Sequence, residues 1–266
     1  MESRAENPYE SFVAEYYDYM PAVQARRDLA FYLAEARRAG GRVLELGCGT
    51  GRVLLALARE GISVAGLDIS EPMLARCREK LLSEPAEVQA RVRLHRGDMT
   101  DFDLQGEFAL AIIPFRPFQH LLETSRQLAC LRHVRAHLAP GGRLIIDFFQ
   151  TDPRRMFDPA YLKEAERGAE IALPDGRKLV QSERTVAFNR AEQRNDVELI
   201  HYITHPDGRS ERLVFAFTIR YFFRYEVEHL LLRGGFHAVE LYGDFDRSPL
   251  SDASPDMIFV SEKTPT

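Results

Sequence analysis

The sequence predicts an α/β fold, a parallel β-sheet covered by helices on both faces, with an antiparallel sheet inserted late in the chain. Three observations predict it. From Arg42 to Phe149, short apolar runs alternate with segments of helical period, the pattern of strand-helix units around a parallel sheet. From Ile171 to Phe223, β-branched and aromatic positions dominate and are broken by two Pro-Asp-Gly turns, the texture of hairpins. At 266 residues, with 45% hydrophobic and 28% charged residues, the chain can bury one large core plus an elaboration, and its composition is that of a globular protein.

Taken in order, residues from about Pro8 to Ala39 read as helical and are rich in Tyr and Arg, so 1–40 is set apart as an N-terminal helical segment. The strands follow as Val43–Leu46, Val64–Ile69, Val92–Arg96, Phe108–Ile113 and Leu144–Phe148. Helices are expected between them around Val53–Glu60, Pro72–Leu82 and Gln119–Leu138, the last stopped by Pro140-Gly141-Gly142. Turn residues at 174–176, 189–195 and 206–208 predict three or four antiparallel strands within 153–223. A final helix near Tyr225–Arg233, ended by Gly234-Gly235, leads to strands at about Ala238–Tyr242 and Met257–Ser261, which bring the main sheet to seven. The main domain is thus 41–152 with 224–266.

A net charge of −5 gives no general reason to bind phosphate backbones, so nucleic acid is not an expected partner. Arg132, His133, Arg135 and His137 are read as a solvated helix face, interleaved as they are with Leu131, Val134 and Leu138. The N-terminus lacks the order of a secretory signal, and no apolar run approaches the roughly 20 residues that cross a bilayer, so a cytoplasmic protein without membrane contact is expected. Three widely spaced cysteines, Cys48, Cys77 and Cys130, form no CxxC pair and are read as reduced thiols; no metal site is expected.

The strongest local signal is Val43-Leu44-Glu45-Leu46-Gly47-Cys48-Gly49-Thr50-Gly51, a strand running into three alternating glycines and then a helix. A ligand lying across the strand end needs bare backbone and permissive dihedrals there. Arg52 stands where a nicotinamide fingerprint places its third glycine, which argues against a dinucleotide oxidoreductase. Asp68 ends the second strand about 20 residues on, where a carboxylate accepts both hydroxyls of an adenosine ribose or else caps the helix opening at Ser70. Gly97-Asp98-Met99 follows the third strand; Asp98 can accept from an adenine amino group with Met99 against the base, or mark an ordinary turn. Three such groups at successive strand ends converge on one crevice.

On these residues the chain resembles the class I S-adenosylmethionine (SAM)-dependent methyltransferases. The match rests on VLELGCGTG, GLDIS, GDM and LAPGGRLIIDFF, and the late hairpins are similar to those of aminosugar N,N-dimethyltransferases and glycine N-methyltransferase. The resemblance implies a Rossmann-like seven-stranded sheet ordered 3-2-1-4-5-7-6 with the last strand antiparallel. It implies SAM as cofactor, S-adenosylhomocysteine as product, and an N or O atom of a small molecule as acceptor. Glu45, Gly47, Cys48, Gly49 and Gly51 would face the methionyl part, Asp68 the ribose, and Asp98 and Met99 the adenine, with Ile69, Met73 and Pro114 completing the cofactor set. Tyr17, in Tyr16-Tyr17-Asp18, is the candidate ring over the cofactor's amino-acid end, with core packing of either tyrosine an equal reading.

The fourth strand ends in Ile112-Ile113-Pro114-Phe115-Arg116-Pro117-Phe118-Gln119-His120. Base-amino methyltransferases carry Asn or Asp before Pro-Pro-aromatic at that place; the isoleucines here speak against nucleobase acceptors. His120 is the candidate proton acceptor, against a surface histidine opening a helix. Arg116 is the candidate for an acidic group of the acceptor, against a solvated arginine. The insertion is expected to roof the substrate side or to make a subunit contact, which leaves a homodimer open. A SAM-binding regulator without catalysis keeps the same fold and crevice, and an RNA methyltransferase is the third alternative.

Overall fold

The structure, a computed structural model, describes residues 12–264. In chain order its strands are β1 (Val43–Leu46), β2 (Val64–Asp68), β3 (Val92–Arg96), β4 (Phe108–Ile113), β5 (Leu138–Phe149), β6 (Ile171–Ala172), β7 (Lys178–Asn189), β8 (Arg194–Thr204), β9 (Ser210–Arg220), β10 (Phe236–Tyr242) and β11 (Asp256–Lys263). The longer helices are α1 (Leu29–Ala39), α2 (Arg52–Arg59), α3 (Glu71–Leu82), α4 (Thr124–His137) and α5 (Arg224–Arg233). These residues form two compact units, 26–150 with 222–264 and 12–25 with 151–221.

The larger unit is a seven-stranded sheet ordered β10-β11-β5-β4-β1-β2-β3. β1 to β5 run parallel, and β11 pairs antiparallel with both β5 and β10. This is the expected order, with the last strand reversed. Alternation along the strands divides the core into two layers. Leu44, Leu46, Ile113, Ile146 and Phe148 pack with Leu131, Val134 and Leu231 of α4 and α5. Val43, Ile112, Ile145 and Ile258 pack with Tyr32, Leu54 and Leu74 of α1, α2 and α3. Each fully buried Leu, Ile or Val contributes about 1.5–3 kcal/mol, so both layers are needed to hold the sheet.

The smaller unit is a four-stranded antiparallel sheet ordered β6-β7-β8-β9. Both Pro-Asp-Gly turns close its hairpins, and Gly176 and Gly208 take φ of +84° and +87°, values that glycine adopts without a Cβ penalty. Residues 12–25 belong to this unit. Tyr16 packs with Leu173, Leu179 and Ile203, and its hydroxyl accepts from Arg177 Nη1 at 2.6 Å. Arg177 also donates to Glu15 at 2.6 Å and to Asp175 of the first turn at 2.7 Å. The unit boundaries fall after Ala25, Gln150 and Tyr221, where the sequence suggested 40, 152 and 223; α1 joins the larger unit because Phe31, Tyr32 and Ala36 face its core.

Several elements differ from expectation. The helix expected from Gln119 begins at Thr124, because Pro117–His120 is a 3-10 turn that sends Phe118 and Leu121 into the core. α4 stops at His137, within a residue of the expected end, but Pro140-Gly141-Gly142 lie inside β5 and bulge out of it between the Phe108–Leu138 and Leu110–Arg143 pairs. The histidines of α4 are not a solvated face. His137 is buried, its Nε2 accepts from Leu104 N at 2.9 Å, and both His133 and His137 lie against Phe102.

Gly66 in β2 lets α2 approach the sheet: a Cβ there would run into Leu54 and come within 2.8 Å of Cys48 Sγ. Gly66→Ala should therefore lower the unfolding free energy by about 1–3 kcal/mol, the usual cost of overpacking, in urea denaturation. An unchanged midpoint would mean that the helix is not seated as tightly as this contact requires.

Candidate functional site

β1 to β5 are parallel and β11 is reversed, so the carboxyl ends of the first five and the start of β11 share one edge of the sheet. After β1 the chain turns sharply. Gly47, Gly49 and Gly51 have φ of +71°, +54° and +84°, and Gly47 N donates to Leu67 O at 2.7 Å, which ties the loop to β2. A Cβ on Gly49 would meet no protein atom within 4 Å, whereas one on Gly47 would strike Pro117 at 2.6 Å and approach Met99 at 3.7 Å. The loop thus has bare backbone at Gly49 and the turn after β4 as a wall at Gly47.

Asp68 is built into this loop. Its Oδ2 accepts from Gly49 N at 2.7 Å and its Oδ1 from Ser70 N at 2.8 Å. Burial raises its pKa despite those backbone donors. The helix cap is Ser70, whose Oγ accepts from Met73 N at 3.3 Å, so the capping alternative for Asp68 falls away. Glu45 is 2% exposed, and its Oε2 has no hydrogen-bond partner among the described residues. Burial pushes its pKa well above the carboxylate range, outweighing the opposing charge of Arg52.

Asp98 follows β3, with Oδ1 accepting from Thr100 N and Oγ1, both at 2.8 Å, and Oδ2 from Arg126 at 2.7 Å. Burial opposes ionisation, but these donors prevail and hold its pKa low. Met99 is partly buried against the core, Met73 and Cys48 are buried, and Ile69 is 47% exposed. Pro114 is buried directly after β4, and His120 is half-buried at the end of the 3-10 turn. Tyr17 opens a 3-10 turn in the smaller unit and is half-buried. Arg116 is 9% exposed, forms an ion pair with Asp256, and lies 3.4 Å over the Phe149 ring.

Sequence reasoning missed the ion cluster at this edge. Asp28, Asp147 and Asp256 are buried. Arg52 grips Asp28 with two bonds of 2.6 and 2.7 Å, and Arg26 bridges Asp28 at 3.1 Å and Asp147 at 2.9 Å. Tyr32 Oη and Phe115 N each donate to Asp147 Oδ1 at 2.8 Å. The available signal was a single charge, Asp147, inside the apolar run LIIDFF, since a lone charge in a buried strand demands partners.

Burial by itself would raise the Asp28 pKa, but Arg52 and Arg26 outweigh it and hold it below the ordinary value. A depressed folded-state pKa stabilises the fold above the unfolded value of about 3.9, and that contribution is lost as pH falls through the lowered one. Asp28→Ala should cost about 3 kcal/mol at neutral pH, the low end for breaking a buried pair because the Arg52 side chain keeps 19% of its surface. The difference from wild type should shrink as denaturation is repeated at pH below about 4. A pH-independent difference would assign the loss to packing.

Residues 43–142 match the methyltransferase domain family. The chain is 26% identical to the cypemycin N-terminal methyltransferase of a Streptomyces species, covering 96% of this chain and 97% of that protein. It is 25% identical to the dTDP-3-amino-3,4,6-trideoxy-alpha-D-glucopyranose N,N-dimethyltransferase of Streptomyces venezuelae, over 70% of each chain. It is 30% identical to the demethylmenaquinone methyltransferase of Clavibacter sepedonicus, over 66% of this chain and 78% of that one. Among solved structures, the CcbJ methyltransferase of Streptomyces caelestis superposes with a TM-score of 0.75 at 26% identity, covering 97% of this chain and 99% of that one. With the glycine loop, the aspartate at the end of β2 and the sheet order in place, the chain belongs to the class I SAM-dependent methyltransferases and is an enzyme of that class.

Proposed function

We propose that the methyl group goes to an amine nitrogen of the small-molecule acceptor. The observation that carries this reading is that the relative aligned over 96% of this chain is named for N-terminal methylation, and the aminosugar relative for N,N-dimethylation. The demethylmenaquinone enzyme aligns over less of the chain. The net charge of −5 supports a small molecule rather than a nucleic acid as acceptor.

SAM brings a methyl group already made electrophilic by its sulfonium, so the chain's own residues have to orient the partners and manage a proton. The unpartnered Oε2 of Glu45 fits the methionyl ammonium, a cation that would satisfy it. Asp68, fixed by Gly49 and Ser70, keeps lone pairs for the ribose hydroxyls. Asp98 and Met99 border the adenine in this reading. His120 takes the proton that a protonated amine must lose, a role supported by its place after β4 at the same sheet edge. Arg116 has less support as an acceptor ligand, because Asp256 and Phe149 already engage it.

The Glu45 reading has a proton signature. A carboxylate whose pKa is raised in the free protein and lowered by a bound ammonium releases a proton on binding, so SAM affinity should rise with pH across that window. Titration calorimetry in buffers of different ionisation heat, repeated in pH steps upward from the ordinary glutamate value of about 4.3, should show proton release for wild type and none for Glu45→Gln. Equal proton release in both proteins would remove Glu45 from the site.

His120→Ala should keep SAM affinity and lose on the order of 10²–10⁴ in turnover, measured as S-adenosylhomocysteine formed with a panel of small primary and secondary amines. Turnover near wild type would leave alignment as the whole mechanism, and transfer to hydroxyl acceptors alone would overturn the amine reading.

A further inference from the structure

Phe115 and Arg116 are consecutive non-glycine residues with φ of +62° and +71°, directly after the fourth strand. Side chains are disfavoured in this left-handed region, and two in succession persist only where the surroundings over-determine them. Asp147 supplies much of that constraint. It has no exposed surface, and its Oδ1 accepts from the Phe115 amide at 2.8 Å while Tyr32 Oη donates to the same oxygen. Its other oxygen takes Arg26 at 2.9 Å, and Arg116 is held one residue on by Asp256. Two residues beyond Phe115, Pro117 presses on the glycine loop, so closely that a Cβ at Gly47 would overlap it at 2.6 Å.

From this chain of contacts we infer that Asp147 is a positioning residue for the cofactor: by holding the Phe115-Arg116 turn left-handed, it keeps Pro117 against Gly47 and fixes the shape of the glycine loop. Without the Phe115 amide bond, the turn relaxes toward ordinary backbone angles, Pro117 withdraws, and the loop loses a wall. The inference rests on SAM being the ligand of this loop, not on the acceptor, so it stands or falls separately from the amine reading.

The test compares Asp147→Asn with Asp147→Ala in the full chain, with SAM as the titrant. Both substitutions remove the charge that faces Arg26, but only asparagine retains an acceptor for the Phe115 amide. Asp147→Ala is expected to weaken SAM binding by about tenfold or more, and Asp147→Asn by less than about threefold, although the two melt at similar temperatures; tenfold corresponds to about 1.4 kcal/mol. Wild-type affinity in a folded Asp147→Ala, or equal weakening in both, overturns the proposal. Should Asp147→Ala fail to fold, Asp147→Asn decides alone: retention within about threefold supports the turn-holding role, and a tenfold loss in the folded variant overturns it.

Discussion

Asp147 sits in an apolar strand with no exposed surface, and a carboxylate cannot remain charged there without donors. Arg26, Tyr32 and the Phe115 amide provide them, and the same arginine reaches Asp28, which Arg52 grips from the other side. Three buried aspartates and three arginines then connect the start of α1, the start of α2, the turn after β4 and the ends of β5 and β11. Replacing such a cluster by apolar residues often stabilises a fold, so its stability contribution is a weak reason for its presence. Its consequence is geometric, because directional bonds fix where backbone turns point, which apolar contacts do far less strictly.

The glycine loop depends on that fixation from one side and on Asp68 from the other. Asp68 Oδ2 holds Gly49 N and the turn after β4 abuts Gly47, so a strand end and a neighbouring turn together determine the loop's path. The buried carboxylates respond differently to similar burial. Asp28 is held ionised by two guanidiniums, whereas Glu45, with an unpartnered oxygen and Arg52 acting only at longer range, is pushed toward the neutral form. That contrast separates a carboxylate that serves the fold from one suited to a cationic ligand group.

The smaller unit builds its own core. Arg177, from the first hairpin turn, ties Glu15 and Tyr16 to the sheet, and His201 is buried between Phe12 and Tyr16 with its pKa pushed down to about 4 by desolvation. Neutral in that setting, the imidazole packs as an aromatic surface.

The sequence by itself determined the strand-helix alternation, the inserted hairpins and the acidic and glycine positions at the ends of β1, β2 and β3, because these are local patterns: period, turn chemistry and spacing along one strand. The resemblance carried the sheet order, which periodicity cannot reach. Only the tertiary structure decided that His133 and His137 face a loop, that Phe118 and Leu121 end as core rather than helix, and that residues 12–25 join the inserted sheet. It alone brought Asp28, Asp147 and Asp256, residues 28 to 256 of the chain, to one buried cluster. Ion pairs among positions separated by more than a hundred residues leave no period or spacing in a single sequence. They are set by which strands become neighbours, and the left-handed turn at Phe115 and Arg116 is a product of those pairs rather than of its own residues' preferences.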